Sequence, residues 1–131
     1  VIESELLRRI MLAASAEDAR LFRNNTGLGW TGTLERIFKT GYALVRPGDV
    51  VLRNARPLHS GLCVGSSDLI GWTPRVIDSK RHAIFTAVEG KSKRGRLTEE
   101  QRHFLAAVHN AGGIAIEARD IDHVIRILKD N

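Results

Sequence analysis

The sequence predicts an α/β domain in which a mixed β-sheet is flanked by α-helices. Three observations carry that expectation. Apolar residues recur at helical spacing in the first and last segments; a capped helix separates two strand-like runs, "AIFTAVEG" and "IAIEA"; and the order along the chain is helix, strands, helix, strand, helix. The 131 residues, 43% of them hydrophobic, suit a single domain over 1–131 with one modest core.

In the opening segment Glu3, Leu7, Ile10 and Ala14 share one helical stripe with Leu6 and Ala13 beside it, whereas Glu5, Arg8 and Arg9 lie on another. This helix stops near Ser15 to Asp18, and "ARLFRNN" follows as a short strand. Residues 26 to 62 are the least regular: "TGLGWTG" is glycine-rich, "RPGDV" is a turn, and "VVLRNARPLHSGL" reads as a strand entering a loop, so a hairpin or extended insertion is expected. The run "LCVGSSDLIGW" carries an acid among short apolar residues, and "WTPRVIDSKRH" reads as a turn before the strand that begins at Ala83.

After the basic loop "KSKRG", Thr98 starts a helix with a Thr-x-x-Gln capping box and Gly112 follows its end. "IAIEA" is a compact strand. Asp120 can cap a last helix, whose stripe is Ile121, Val124, Ile125 and Leu128.

Composition narrows the function classes. No apolar run reaches the ~18 residues of a membrane span, and the first residues lack the layout of a secretory signal. A lone Cys63 forms neither an internal disulfide nor a cysteine-based zinc site, which fits a reducing compartment. A soluble, cytoplasmic protein is the expectation. Lys and Arg number 20 against 15 Asp and Glu, a formal charge of +5, which favours a polyanionic partner, although a solvated basic surface explains it equally simply. Aromatics, at 5%, are too few for single-strand binding by base stacking. The five histidines form no HNH-like cluster, and "GLGWTG" lacks the Lys and helix context of a phosphate-binding loop.

Alternation along the quoted strand puts Phe85, Ala87, Glu89 and Lys91 on one face, so an acid and a base are neighbours at its end. An ordinary ion pair accounts for that by itself. Asp68 adds a second acid in an apolar setting, where an uncompensated carboxylate costs several kcal/mol to bury, on the order of the desolvation penalty of a charge. A divalent cation shared by Asp68 and Glu89 would compensate it, and oxygen ligands suit Mg²⁺ or Mn²⁺. A turn capped by Asp68 with Ser66 and Ser67 as neighbours is the competing reading. Gln101 shares the stripe of Phe104, Leu105 and Val108 and so faces the sheet, yet it is also the partner of Thr98 in the capping box. Periodicity selects Glu3 over Glu5 as the acid of the first helix aimed inward, against simple helix-start electrostatics.

"GLCVGSSDLIGW" followed by "FTAVEGKSKRGRLTEEQRHFLAAVHNAGGIAIEA" resembles the VRR-NUC family of the PD-(D/E)xK nuclease superfamily, in particular its small stand-alone phage and bacterial members, from the opening helix to about Ala118. The resemblance implies a restriction-endonuclease-like fold, with Asp68 and Glu89 as ligands of Mg²⁺ or Mn²⁺, the Gly90 backbone carbonyl as a further ligand, and Lys91 orienting or polarising the attacking water. It also implies that Glu3 matches the acid of the family's first helix and Gln101 the helix glutamine that supports the site. Gly90 departs from the family pattern, which has a β-branched or other apolar residue there. By the same resemblance the protein acts on DNA, branched or four-way, as a homodimeric junction-resolving endonuclease in a bacterial or phage-infected cell.

Arg20, Arg23, Lys93, Arg94 and Arg96 are the residues expected to hold phosphate backbones, and a solvated role competes for each. No base-reading motif is visible, which favours recognition by DNA shape. The rival functions are a junction-binding module without turnover and a sequence-specific restriction-type nuclease.

Overall fold

In chain order the computed structural model, which describes residues 3–36 and 38–130, forms α1 (Glu3–Ala16), β1 (Arg20–Arg23), β2 (Gly27–Arg36), β3 (Val50–Ser60), β4 (Leu69–Ile77), β5 (Lys80–Gly90), α2 (Glu99–Asn110), β6 (Ile114–Ala118) and α3 (Ile121–Lys129). Two compact units result. One is Thr26–Ser60, and the other joins Val1–Asn25 to Gly61–Asn131.

The larger unit has a four-stranded sheet in the order β1-β4-β5-β6. The β1–β4 and β4–β5 pairs are antiparallel, and β5 pairs in parallel with β6 after the crossover through α2, which makes the sheet mixed as expected. Strand alternation sorts the core into two layers. Leu21, Leu69, Val88 and Ile116 pack against Leu6, Leu7, Ile10 and Ala14 of α1 and Val124 and Leu128 of α3. On the opposite face Ala87 meets Leu105 and Val108 of α2, with Ile70, Phe104 and Ala115 around them. Full burial of a Leu, Ile or Val side chain stabilises by roughly 1.5–3 kcal/mol, so the layer under α1 and α3 holds the larger share of the folding energy.

The helices begin and end where their sequence signals lie. Thr98 Oγ1 accepts the Gln101 N–H at 3.1 Å and Gln101 Oε1 accepts the Thr98 N–H at 2.9 Å, completing the capping box. Gly112 follows the helix with φ 95°, the left-handed conformation that glycine adopts without strain. Asp120 caps α3 by accepting the His123 N–H at 2.9 Å. At the other end of α3, Arg75 of β4 donates to the Ile127 and Leu128 carbonyls at 2.7 and 2.8 Å, where cations are favoured.

The segment expected to be a turn, "WTPRVIDSKRH", is mostly strand. β4 continues to Ile77, the turn is only Asp78 and Ser79, and β5 starts at Lys80 rather than near Ala83. Pro74 misleads the sequence reading. Because β1 pairs with β4 only as far as Trp72, Pro74 lies on an open edge where its missing N–H costs no ladder bond. Asp78 and Ser79 both have positive φ, 50° and 63°, as a two-residue hairpin turn of primed type requires.

The smaller unit is the expected hairpin, an antiparallel ribbon from Gly27↔Ser60 to Arg36↔Val50. Its register shifts between Thr31 and Thr33, opposite Asn54 at φ 53°. At Gly32 a Cβ would sit 2.7 Å from the Arg53 carbonyl oxygen, so only glycine fits the bulge. The ribbon is two-faced. Leu28, Trp30 and Leu34 share one exposed face with Pro57 and Leu52, and the other carries the Glu35–Arg53 ion pair at 2.6 Å.

At the end of β5, Gly90 points toward α1 rather than α2. It has no positive φ, so the backbone does not demand glycine there; space does. A Cβ would lie 2.8 Å from Leu7 Cδ2 and 3.4 Å from its Cγ. Leu7 of the first helix thus occupies the room that an apolar residue between Glu89 and Lys91 would need. Restoring such a residue with Gly90→Val is expected to destabilise the fold by about 1–3 kcal/mol, the usual cost of overpacking, and adding Leu7→Ala should recover part of that loss. Chemical denaturation of the two variants checks this; a Gly90→Val protein as stable as the parent contradicts the packing account.

Candidate functional site

The sheet register brings the two acids together. The last β4–β5 pair is Leu69↔Val88, and one step further Asp68 stands opposite Glu89. Cross-strand partners share a face, so both side chains look toward α2. Where the ladder ends, the backbone of each strand bonds to the carboxylate of the other. The Asp68 N–H donates to Glu89 Oε2 at 3.2 Å, and the Gly90 N–H donates to Asp68 Oδ2 at 2.9 Å. Asp68 therefore turns toward the neighbouring strand and does not cap its own loop; Ser66 Oγ bonds instead to the Cys63 carbonyl at 2.7 Å.

Glu89 is 2% exposed. Its Oε1 accepts from Gln101 Nε2 at 2.8 Å and lies 3.5 Å from Lys91 Nζ. Gln101 makes both the capping-box bonds and a bond to Glu89, and the first fixes the geometry of the second. Its Oε1 is committed to the Thr98 N–H, so its amide NH₂ is the group left to face Glu89. Lys91 is held by its own backbone, whose N–H donates to the Ala118 carbonyl at 2.8 Å and extends the β5–β6 pairing one residue beyond Gly90.

The electrostatics of this arrangement are unbalanced. Burial, and then the negative charge of Asp68, push the Glu89 carboxyl up from 4.5 to about 7, while Lys91 and the Asp68 N–H pull it back only in part. Asp68 Oδ1 accepts no hydrogen bond from the described residues. A half-buried carboxylate beside a buried one, each bonded across to the other's strand, fits a divalent cation of the Mg²⁺ or Mn²⁺ type. Mg²⁺ characteristically takes one or two carboxylates and completes its shell with water and substrate oxygens, and the donors here suffice for that: Asp68, Glu89 and the adjacent Gly90 carbonyl.

Glu3 stands apart. It is exposed in the first turn of α1, on the stripe of the buried Leu7, and among the described residues no three His, Cys, Asp or Glu side chains are grouped to share an ion. Arg20, Arg23, Lys93, Arg94 and Arg96 are all exposed. The last three sit in the loop after Lys91, which the Arg119 guanidinium braces by bonding to the Ser92 carbonyl while pairing with Glu117.

Sequence reading passes over Arg119 and Asn24. Asn24, immediately after β1, is buried, and its side-chain amide bonds into the loop that carries Asp68. By sequence it is an ordinary asparagine near the end of a short strand, and only burial marks it.

A family model described as VRR-NUC domain matches residues 32–119. The matched span contains Asp68, Glu89, Lys91 and Gln101 and leaves out α1 with Glu3 and β1 with Arg20 and Arg23. No curated protein and no solved structure matches the chain.

Two outcomes follow from the geometry. Without metal, folded Glu89 keeps its proton to about pH 7 whereas the unfolded chain releases it near 4.5. Between those values the folded state binds more protons, so raising the pH through the window costs stability, and below it the effect vanishes. Thermal melts in chelator should show that decline, and Glu89→Gln should flatten it; an unchanged slope in the variant contradicts the assignment. Gln101→Glu separates the two bonds of Gln101, because glutamate still accepts the Thr98 N–H but offers no donor to Glu89. The helix cap should survive, leaving the α2 contribution to stability within about 0.5 kcal/mol, while activity that depends on Glu89 falls by about tenfold or more, the cost of a misplaced outer partner at a metal site.

Proposed function

The chain belongs to the VRR-NUC family, nucleases of the PD-(D/E)xK superfamily, and on that premise we propose that it is a Mg²⁺- or Mn²⁺-dependent, structure-selective endonuclease that cuts branched DNA, four-way junctions foremost, as a homodimer. The coarser part, a nuclease acting on DNA, comes with the family. The observation that carries the metal-dependent cleavage is the convergence of Asp68 and Glu89 at one sheet end, with Gln101 and Lys91 on Glu89 Oε1.

Hydrolysis of a phosphodiester needs an activated water and positive charge on the phosphoryl oxygens. Asp68, Glu89 and the Gly90 carbonyl would hold the ion, whose chemistry there would be to lower the pKa of a water and to neutralise charge on the phosphate. Glu89 releases its proton to take up this role. Gln101 fixes the orientation of that carboxylate through Oε1, and Lys91 contributes a preorganised cation beside the nucleophile or the scissile phosphate. Glu3, one helical turn ahead of Leu7, is assigned the holding of a water or a second ion. Arg20, Arg23, Lys93, Arg94 and Arg96 grip phosphates outside the reacting group through salt-sensitive contacts.

Uncovered apolar surface supports the homodimer. Phe22 and Trp72, with ring centroids 5.6 Å apart, and Phe85 remain 51%, 42% and 43% exposed. The ribbon adds its own bare face of Leu28, Trp30 and Leu34, and an isolated two-stranded ribbon is marginal in water. Among the described residues no helix is long and apolar enough to cross a membrane, and a cytoplasmic site of action is part of the same proposal.

The test is incubation of the pure protein with matched linear, flapped and four-way DNA in Mg²⁺, Mn²⁺ or chelator. Cutting of the four-way substrate only with metal is expected, and Asp68→Ala or Glu89→Ala should reduce it to the chelator level while circular dichroism stays unchanged. Metal-dependent cutting by both variants refutes the site, and cutting of plain duplex at one sequence refutes the structure selectivity.

A further inference from the structure

We infer that Asn24 is the positioning residue that sets Asp68 for metal binding, an inference that rests on the reading of Asp68 as a ligand. Asn24 is 8% exposed and spends its backbone N–H and both side-chain polar atoms on the segment that ends in Asp68. Its backbone N–H donates to the Asp68 carbonyl at 2.8 Å, continuing the β1–β4 ladder one step past Arg23↔Leu69. Its Nδ2 donates both hydrogens, to Ser66 Oγ at 2.7 Å and to the Ser67 carbonyl at 2.9 Å. Its Oδ1 accepts the Leu62 N–H at 3.0 Å. One side chain thus ties Leu62, Ser66 and Ser67 while its backbone ties Asp68.

The opposite side of the same loop has no slack. Gly65 has φ 84°, and a Cβ there would lie 2.5 Å from the Glu100 Cβ in the first turn of α2. The loop is therefore wedged between Asn24 and the helix that carries Gln101. With the Asp68 backbone fixed from both sides, its Oδ2 meets the Gly90 N–H, and among the described residues its Oδ1 has no donor. A loop held only by α2 would let the Asp68 backbone slide along the strand end, and the two carboxylates would lose the spacing a shared ion needs. Outer-shell bonds of this kind orient ligands and carry much of the affinity of a metal site.

The inference is tested by calorimetric titration of Mn²⁺ into the full chain without DNA, alongside melting temperatures. The variants are Asn24→Asp, Ser66→Ala and Asp68→Asn. Asn24→Asp keeps the shape and the Leu62 bond but turns an acceptor toward the Ser67 carbonyl. It should raise the Mn²⁺ Kd by about 10–100-fold, and cleavage should recover when Mn²⁺ is raised to saturation. Ser66→Ala removes a single Nδ2 acceptor and should shift Kd in the same direction by less, and it carries the test if Asn24→Asp does not fold. Wild-type Kd in both Asn24→Asp and Ser66→Ala, with Asp68→Asn unable to bind, overturns the inference and leaves the function intact. A Kd unchanged by Asp68→Asn overturns the reading of the site itself.

Discussion

Two carboxylates are held against each other at the end of two strands, and most of what surrounds them answers that repulsion. Asp68 and Glu89 face each other because the register that pairs Leu69 with Val88 runs one step further. Like charges in a dry place separate, take up a proton or acquire a cation. Separation is blocked, because each carboxylate is bonded to a backbone N–H of the other strand. The metal-free protein is left with the proton, seen in the Glu89 carboxyl pushed up to about 7. Under the proposed function, a divalent cation would take the place of that proton, and the same pair would then serve as its ligands.

The same constraint explains why a helix cap belongs to the site. Glu89 Oε1 needs a donor, and the candidate nearest in chemistry is an amide whose own carbonyl is already satisfied. Gln101 meets both needs because Thr98 takes its Oε1. Helix start and site geometry are then one hydrogen-bonded chain, from Thr98 through Gln101 to Glu89. Neither use of Gln101 excludes the other, and the two together fix which end of the amide faces the acid.

The strand that carries Glu89 and Lys91 also shows how a departure from a family's usual pattern is absorbed. Losing a side chain at Gly90 removes packing and adds unfolded-state entropy. Here Leu7 of α1 enters the space instead, so the strand end remains covered on the side opposite the site. The bonds to Asp68 and Ala118 made by Gly90 and Lys91 keep its backbone in place. Rigidity at this point depends on a helix distant in sequence.

What the sequence by itself determined was everything local. The capping box at Thr98, the cap at Asp120, Gly112 after α2 and the alternation that puts Glu89 and Lys91 on one face are all short-range, because each is fixed by residues within a helical turn or a strand pleat. The extent of β4 was misread for a tertiary reason: whether Pro74 breaks a strand depends on whether a neighbour needs its N–H, and that is settled by where β1 stops. The meeting of Asp68 with Glu89, the packing of Leu7 over Gly90 and the burial of Asn24 also waited for the tertiary structure. Each joins residues 21 or more positions apart, and contact at that distance is decided by strand register and helix docking, which no periodicity in one segment encodes.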